Sequence, residues 1–207
     1  MTQTSMTPNT DPRELHQRAM AQTEAIVAAV TPSQLTLPTP CAEYDVRALL
    51  SHMIGGLTRH AVTGEGGDGL AVSPHVDGIP DDGWLAAYHA ARLRVTAAWA
   101  DDAKLDALVE VPWGKVPGRG ALSGYVQETL AHGWDLAKAT GQPTELDPEL
   151  AAWTLAISQR ILPPEPRGGD IRSARSSRLP PAPVPTPSSP PGSAASPDLR
   201  WRGCHNG

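Results

Sequence analysis

The sequence predicts an all-α chain of close-packed helices, and three observations lead there. Aromatic residues make up only 4% of the 207, with six Trp, three Tyr and no Phe, so Leu, Val, Ala and tryptophan must supply the buried surface. That supply favours helix-on-helix contacts over large sheets. Apolar residues recur at helical rather than alternating spacing through most of the chain up to Leu162. Cap-and-proline starts and glycine or proline stops divide this region into five helical segments.

The first helix follows from Thr10-Asp11-Pro12-Arg13-Glu14: a cap residue, a proline at the first helical position and a glutamate three residues after the aspartate. It is expected from Pro12 to about Val30, where Thr31-Pro32-Ser33 ends it. LTLPTPCAEY reads as a loop, because two prolines so close cannot sit inside a helix. Asp45 then caps a second helix, VRALLSHMIGGLTRHAV, whose Val46, Leu49, Leu50, Met53 and Leu57 form one stripe with His52 beside it. TGEGGDGLAVSPHVDGIP is a long loop, of a length usually associated with function or mobility.

Asp81-Asp82 introduce a third helix, GWLAAYHAARLRVTAAWA, with Leu85, Tyr88, Ala91/Arg92, Val95 and Trp99 as its inward stripe. The period then changes, and LVEVPWGKVPG, with alternating valines around Pro-Trp-Gly, predicts a short hairpin or extended excursion. A fourth helix from about Leu122 to Thr140 ends at Gly141, with Pro143 just beyond. Asp147-Pro148-Glu149 opens an additional C-terminal helix, LAAWTLAISQRIL, stopped by Pro163-Pro164.

Beyond Leu162 half of the chain's 22 prolines are concentrated and apolar periodicity vanishes, so residues 163–207 are expected to be a disordered Pro/Ser/Arg-rich tail. The organisation predicted is a disordered N-terminus over 1–10, one helical unit over 11–162, and this tail. Periodicity stops abruptly at Arg167-Gly168-Gly169, and the following text reads like GC-rich DNA in another frame. A frame-shifted end is therefore an expectation, tested by intact mass and resequencing of the locus.

The formal net charge of −5, or −8 once the Arg-rich tail is set aside, gives no electrostatic reason to expect nucleic acid or an anionic membrane as partner. MTQTSMTPNTDPRE lacks a basic and apolar leader, and no window approaches eighteen apolar residues, so neither export nor membrane insertion is expected. Cys41 and Cys204 are far apart and imply no disulfide framework, which fits a reducing cytoplasm.

The chemistry-bearing stretch is QETLAHGWDLA, residues 127–137. Glu128 and His132 are four apart on a helix, so they project from one face and can converge on one ion. A third ligand from a neighbouring helix would complete a three-ligand site with open positions. His52, mid-helix beside an apolar stripe, is the leading candidate. His16, His60, His75 and His89 compete, with His75 weakened by its loop and His60 by its place near the helix end. Asp135, three after His132, has two open readings: a group orienting a ligand or substrate, or a solvated or Arg-paired carboxylate. Spacing alone also leaves open the plainer reading, an exposed hydrogen-bonded pair with His52 as a core histidine.

Two stretches in order, LPTPCAEYDVRALLSHMIGG and YVQETLAHGWDLAKATGQP, resemble the signatures of the DinB-like metalloenzyme superfamily. The resemblance is to its actinobacterial branch related to the N-terminal metal-binding domain of mycothiol-dependent maleylpyruvate isomerase. It covers about Asp11 to Leu162, and the tail has no counterpart. It implies a four-helix bundle with up-down-down-up connectivity, and a divalent metal held by His52, Glu128 and His132. Tyr44 stands where the branch usually has Trp. Arg47 matches the motif's arginine, as a salt bridge to a carboxylate such as Asp135 or, less favoured, as a substrate contact. Cys41 matches its cysteine, read as a buried inert thiol ahead of a nucleophile or fourth ligand. Trp134 is read as bundle packing ahead of a pocket wall.

The function the resemblance implies is a mycothiol-dependent transferase or isomerase acting on an electrophilic double bond, with a small-molecule thiol and an electrophile as partners, as monomer or homodimer. Zinc is the first choice of metal, with nickel, iron and manganese sharing the ligand set. The alternatives are a non-catalytic metal-stabilised bundle or scaffold, and a metal-dependent hydrolase. The isomerase's separate C-terminal domain is expected to be missing.

Overall fold

The computed structural model describes residues 10–161, so the two segments expected to lack structure lie outside the described residues apart from Thr10. Five helices form: α1 Pro12–Ala28, α2 Val46–Gly64, α3 Trp84–Ala98, α4 Gly118–Thr140 and α5 Pro148–Ile161, with a hairpin of β1 Leu108–Val111 and β2 Gly114–Pro117 before α4. The all-α bundle with an additional helix and a hairpin excursion is therefore the observed architecture. Among the described residues no helix is long and apolar enough to cross a membrane.

The helix starts obey the local chemistry read from the sequence. The Asp11 carboxylate accepts from the Arg13 N–H at 2.9 Å, and that of Asp45 from the Ala48 N–H at 2.8 Å, each satisfying a donor the first turn leaves open. Asp147 accepts from the N–H groups of Glu149 and Leu150. Gly141, at φ 71°, closes α4 in the left-handed conformation that costs a glycine little.

One helix start and one buried face differ from the expectation by more than the fraying of a helix end. α4 begins four residues before Leu122, although Gly118 and Gly120 are poor helix formers. Tertiary contact overrides propensity here: a Cβ on Gly118 would stand 2.1 Å from the Lys104 carbonyl oxygen and 2.8 Å from the Trp99 ring, so the helix start is pressed into a space only glycine fits. On α3 the stripe is misplaced at its start. Trp84 is buried, whereas Leu85 is 42% exposed, so the inward face runs through Trp84, Tyr88, Val95 and Ala98 to Trp99. Both registers meet at Tyr88 and Val95, and the sequence does not distinguish the flank on which the stripe begins.

α1 packs on α4 and α3, and α2 packs on α3 and α4, so the four form a ring in which α1 and α2 are diagonal. The main core gathers Met20, Leu49, Leu50, Met53, Leu57, Tyr88, Val95, Trp99, Leu122, Tyr125 and Leu136. α5 lies outside this ring against α4, where Trp153 and Leu150 close a second cluster with Leu15, Ala19 and Val126. The hairpin, in register Val109 to Val116 and Glu110 to Lys115, folds back so that Trp113 covers α4 at Gly124, one residue before Tyr125.

The long segment after α2 is laid along that helix. Arg59 Nε donates to the Val72 carbonyl at 2.8 Å, Ser51 Oγ donates to the Val76 carbonyl at 2.7 Å, and the Val76 N–H returns to Ser51 Oγ at 3.0 Å. Gly55 makes the approach feasible: a Cβ there would lie 2.2 Å from the Pro74 carbonyl oxygen.

Candidate metal centre

α2 and α4 cross in the bundle with their polar side chains turned toward each other. Along α2, His52, Gly56 and His60 follow at four-residue intervals and so share one face. Glu128 of α4 lies opposite Gly56, with Oε1 3.4 Å from where a Cβ on that glycine would be. His132 lies one turn further along α4, and its ring meets that of His52 edge to face at a centroid distance of 5.0 Å.

His52, Glu128 and His132 offer one ligand atom each, and those atoms all lie within 4.8 Å of one another. The donor set is two imidazoles and a carboxylate, which suits a divalent ion with open positions. His52 Nδ1 is 3.2 Å from the Pro74 carbonyl oxygen, which leaves Nε2 as its nitrogen for an ion. His132 Nδ1 is buried without a hydrogen bond and stands 3.6 Å from the Asp135 carboxylate. An ion drawing on the opposite nitrogens would leave an N–H on each ring aimed at those two oxygens, the arrangement that fixes tautomer and orientation in histidine metal sites.

The electrostatics agree with this donor set. Burial, and then the charge of His132, brings the His52 imidazole down to about 4, against the pull of Glu128. Burial and His60 hold His16 well below the ordinary histidine range. For Glu128, burial acts to raise the carboxyl, but the hydrogen bond from His60 and the charges of His60, His132 and His52 outweigh it and bring it to about 2. A neutral His52 imidazole and an ionised Glu128 carboxylate are the protonation states in which these two groups bind metals.

A pH prediction follows for the metal-free protein. A histidine depressed in the fold binds fewer protons than in the unfolded chain at any pH between its folded value and about 6.5, so stability falls as pH falls through that window. For His52 the window runs from about 6.5 down to about 4, and His16 adds the same sign. The expected slope is about 1.4 kcal/mol per pH unit for each such group at full effect. Urea midpoints of metal-free protein at pH 7.5 and pH 4.5 check it; equal midpoints would contradict it.

The other sequence candidates separate clearly. His89 is on the surface with Glu24. His16 is buried but outside the convergent group, with Nε2 3.4 Å from Thr129 Oγ1. His75 packs its ring 5.3 Å from that of His52, and its Nε2 lies 3.1 Å from the Tyr44 hydroxyl, so Tyr44 keeps an aromatic wedge beside the site. Asp135 is buried, which removes the solvated reading. Arg47 makes a salt bridge, but to Asp81 at 2.7 Å rather than to Asp135, because it lies at the outer edge of α2. Cys41 is buried but is not the free thiol expected: it is disulfide-bonded. Two isolated cysteines carry no spacing signal from which that could be read. Trp134 is half-buried.

Four contributors escaped the sequence reading. His60 was discounted as near the helix end, yet it is buried with Nε2 3.3 Å from Glu128 Oε2. Gly55 makes room for the loop, Gly56 faces the Glu128 carboxylate, and Pro74 supplies an orienting carbonyl. The H-x-x-x-G-x-x-x-H spacing of His52, Gly56 and His60 was the available signal for two of them. The loop's approach had none, because a backbone carbonyl leaves no trace in the sequence.

The chain is 37% identical over 158 residues to the uncharacterized proteins Rv0738 and MT0763 of two Mycobacterium tuberculosis strains, H37Rv and CDC 1551 / Oshkosh, covering 76% of this chain and 83% of each relative. The crystal structure of the mycothiol-dependent maleylpyruvate isomerase shares the fold, with a TM-score of 0.56 at 15% identity over 72% of this chain and 69% of that one. A histidine-to-alanine mutant of that enzyme aligns over the same shares with a TM-score of 0.52. The sequence model of the mycothiol maleylpyruvate isomerase N-terminal domain matches residues 16–137, a span that holds His52, Glu128 and His132, and the chain belongs to that family.

Proposed function

We propose that the protein binds a divalent metal at His52, Glu128 and His132 and acts as a mycothiol-dependent transferase or isomerase on an electrophilic double bond. The observation that carries the reading is the convergence of those three ligand atoms within 4.8 Å in the bundle interior. Family membership and the chemistry named for the solved relative supply the thiol and the reaction class. Zinc fits a His₂-carboxylate set best, and iron, nickel and manganese are the competitors. A divalent cation there keeps a net charge near +1 and supplies Lewis acidity that brings a thiol's pKa into the neutral range.

The chain's own residues prepare the site for that chemistry. The Pro74 carbonyl orients the His52 imidazole, the Asp135 carboxylate stands 3.6 Å from His132 Nδ1 where it would receive that ring's N–H, and Glu128 provides the one formal negative charge among the three ligands. A cavity of about 20 Å³ opens beside Glu128 and His132, lined also by Met53, Gly56, Leu57, His60, Tyr88 and Thr129. It has room for about one water-sized group. Its apolar walls keep bulk water from competing with the sulfur of an incoming thiol.

Elemental analysis of untagged protein identifies the metal. The metal-loaded protein is then expected to consume maleylpyruvate only when mycothiol is present, and chelation is expected to stop turnover. Chelation should also lower the melting temperature, since an ion at a thousandfold excess over its Kd contributes about 4 kcal/mol. Turnover without thiol would move the reading to a hydrolase, and metal-raised melting without turnover to a scaffold. Melting and activity both indifferent to chelation would remove the metal centre altogether.

A further inference from the structure

We propose that His60 is a positioning residue for the metal centre: its Nε2–H holds one oxygen of Glu128 and fixes the carboxylate in the orientation that meets His52 and His132. The inference rests on the metal-site reading and adds to it a residue outside the ligand set.

Among the described residues the His60 ring has one hydrogen-bond partner: its Nε2 lies 3.3 Å from Glu128 Oε2, while its Nδ1 is buried with none. The single proton of a neutral ring therefore belongs on Nε2, where an acceptor waits, and not on Nδ1, where none does. His60 is not a fourth ligand, because the group of convergent ligand atoms contains His52, Glu128 and His132 without it. Its polar contact with the three is through the carboxylate, and its ring also lines the small cavity beside Glu128 and His132.

The ring is also held in place. Tyr125, three residues before Glu128 on α4, stacks on it at a centroid distance of 3.6 Å and an interplanar angle of 16°. Trp99 Nε1 donates to the His60 backbone carbonyl at 2.9 Å, and the His16 ring lies 5.4 Å from it on another side. A glutamate has three side-chain torsions to immobilise before it can serve as a ligand at a fixed point. Glu128 Oε1 faces Gly56, and His60 holds the other oxygen. Outer partners of this kind typically account for 10–100-fold in metal affinity.

The test compares the zinc affinity of full-length wild type, H60Q, H60N and H60L by competition with a chromogenic chelator, with the visible spectrum of the cobalt(II) form as a second readout. Gln places an amide N–H near the position of Nε2, whereas Asn is too short to reach and Leu offers none. H60Q is expected to keep near-wild-type affinity and spectrum, and H60N and H60L to lose roughly 10–100-fold with a shifted spectrum. Long-range ¹H–¹⁵N spectra of the wild-type metal-loaded protein are expected to show His60 protonated at Nε2 and bare at Nδ1, which needs no variant to fold. Wild-type affinity in H60L, or a proton on Nδ1, overturns the inference. A wild-type protein that binds no divalent metal overturns the metal centre itself, a distinct result.

Discussion

Glu128→Gln is expected to lower metal affinity by more than the roughly 10–100-fold that loss of an outer partner costs, while leaving the metal-free fold intact. The substitution keeps the shape of the side chain and an oxygen for His60, which lies 3.3 Å away, so packing against Gly56 and the small cavity are unchanged. What it removes is the one formal negative charge of the ligand set. An ion held by three neutral groups would keep its full double charge between helices whose nearby histidines are buried, and a charge taken out of water without a partner is costly. Thermal melting with and without zinc reads both halves at once: a metal-free protein that still melts cooperatively, at a lower temperature for want of the ionised carboxylate beside His60, and little or no rise on adding zinc. Retention of the wild-type zinc-induced rise would show that Glu128 is not a ligand.

Much of this site was legible because its main parts lie on helices, where spacing translates directly into geometry. Glu128 and His132 share a face by the four-residue rule, and the Asp45 cap and the glycine after Thr140 fixed the helices that carry the proposed ligands. His52 led four other histidines through its mid-helix place beside an apolar stripe, and the resemblance then singled it out; burial does not separate it from His16 and His60, which are also buried on helices. The remaining features depend on tertiary approach. The start of α4 at Gly118, the covering of Gly124 by Trp113 and the seating of the Pro74 carbonyl on Gly55 are all close contacts between distant segments, and a lone glycine in a helical pattern does not say what fills the space it leaves. The choice of Leu85 over Trp84 failed for a related reason: both satisfy the helical period, and only the neighbouring helices decide which flank faces in.

The two adjacent glycines of α2 provide the sharpest division of labour, and Gly55→Ala is expected to damage both stability and the metal centre where Gly56→Ala does not. Ala is favoured over Gly inside a helix by about 1 kcal/mol, so propensity alone predicts that both changes stabilise. At Gly55 the new Cβ would stand 2.2 Å from the Pro74 carbonyl oxygen, 2.4 Å from its carbon and 2.7 Å from the His75 nitrogen, all backbone atoms that no rotamer change can move aside. Relief requires displacing a segment tied down by the Ser51–Val76 and Arg59–Val72 hydrogen bonds, and overpacking of this kind costs about 1–3 kcal/mol, which exceeds the propensity gain. The same displacement pulls the Pro74 oxygen from His52 Nδ1, so zinc affinity should fall by roughly 10–100-fold, the range for a lost orienting partner. At Gly56 the nearest atom to the new Cβ is Glu128 Oε1 at 3.4 Å, an ordinary contact, so that variant should gain stability and bind zinc close to wild type. Urea unfolding and zinc competition on the two variants side by side decide the matter. If Gly55→Ala bound zinc as tightly as Gly56→Ala, the carbonyl would not be what orients His52, and the site would owe its geometry to the helix crossing alone.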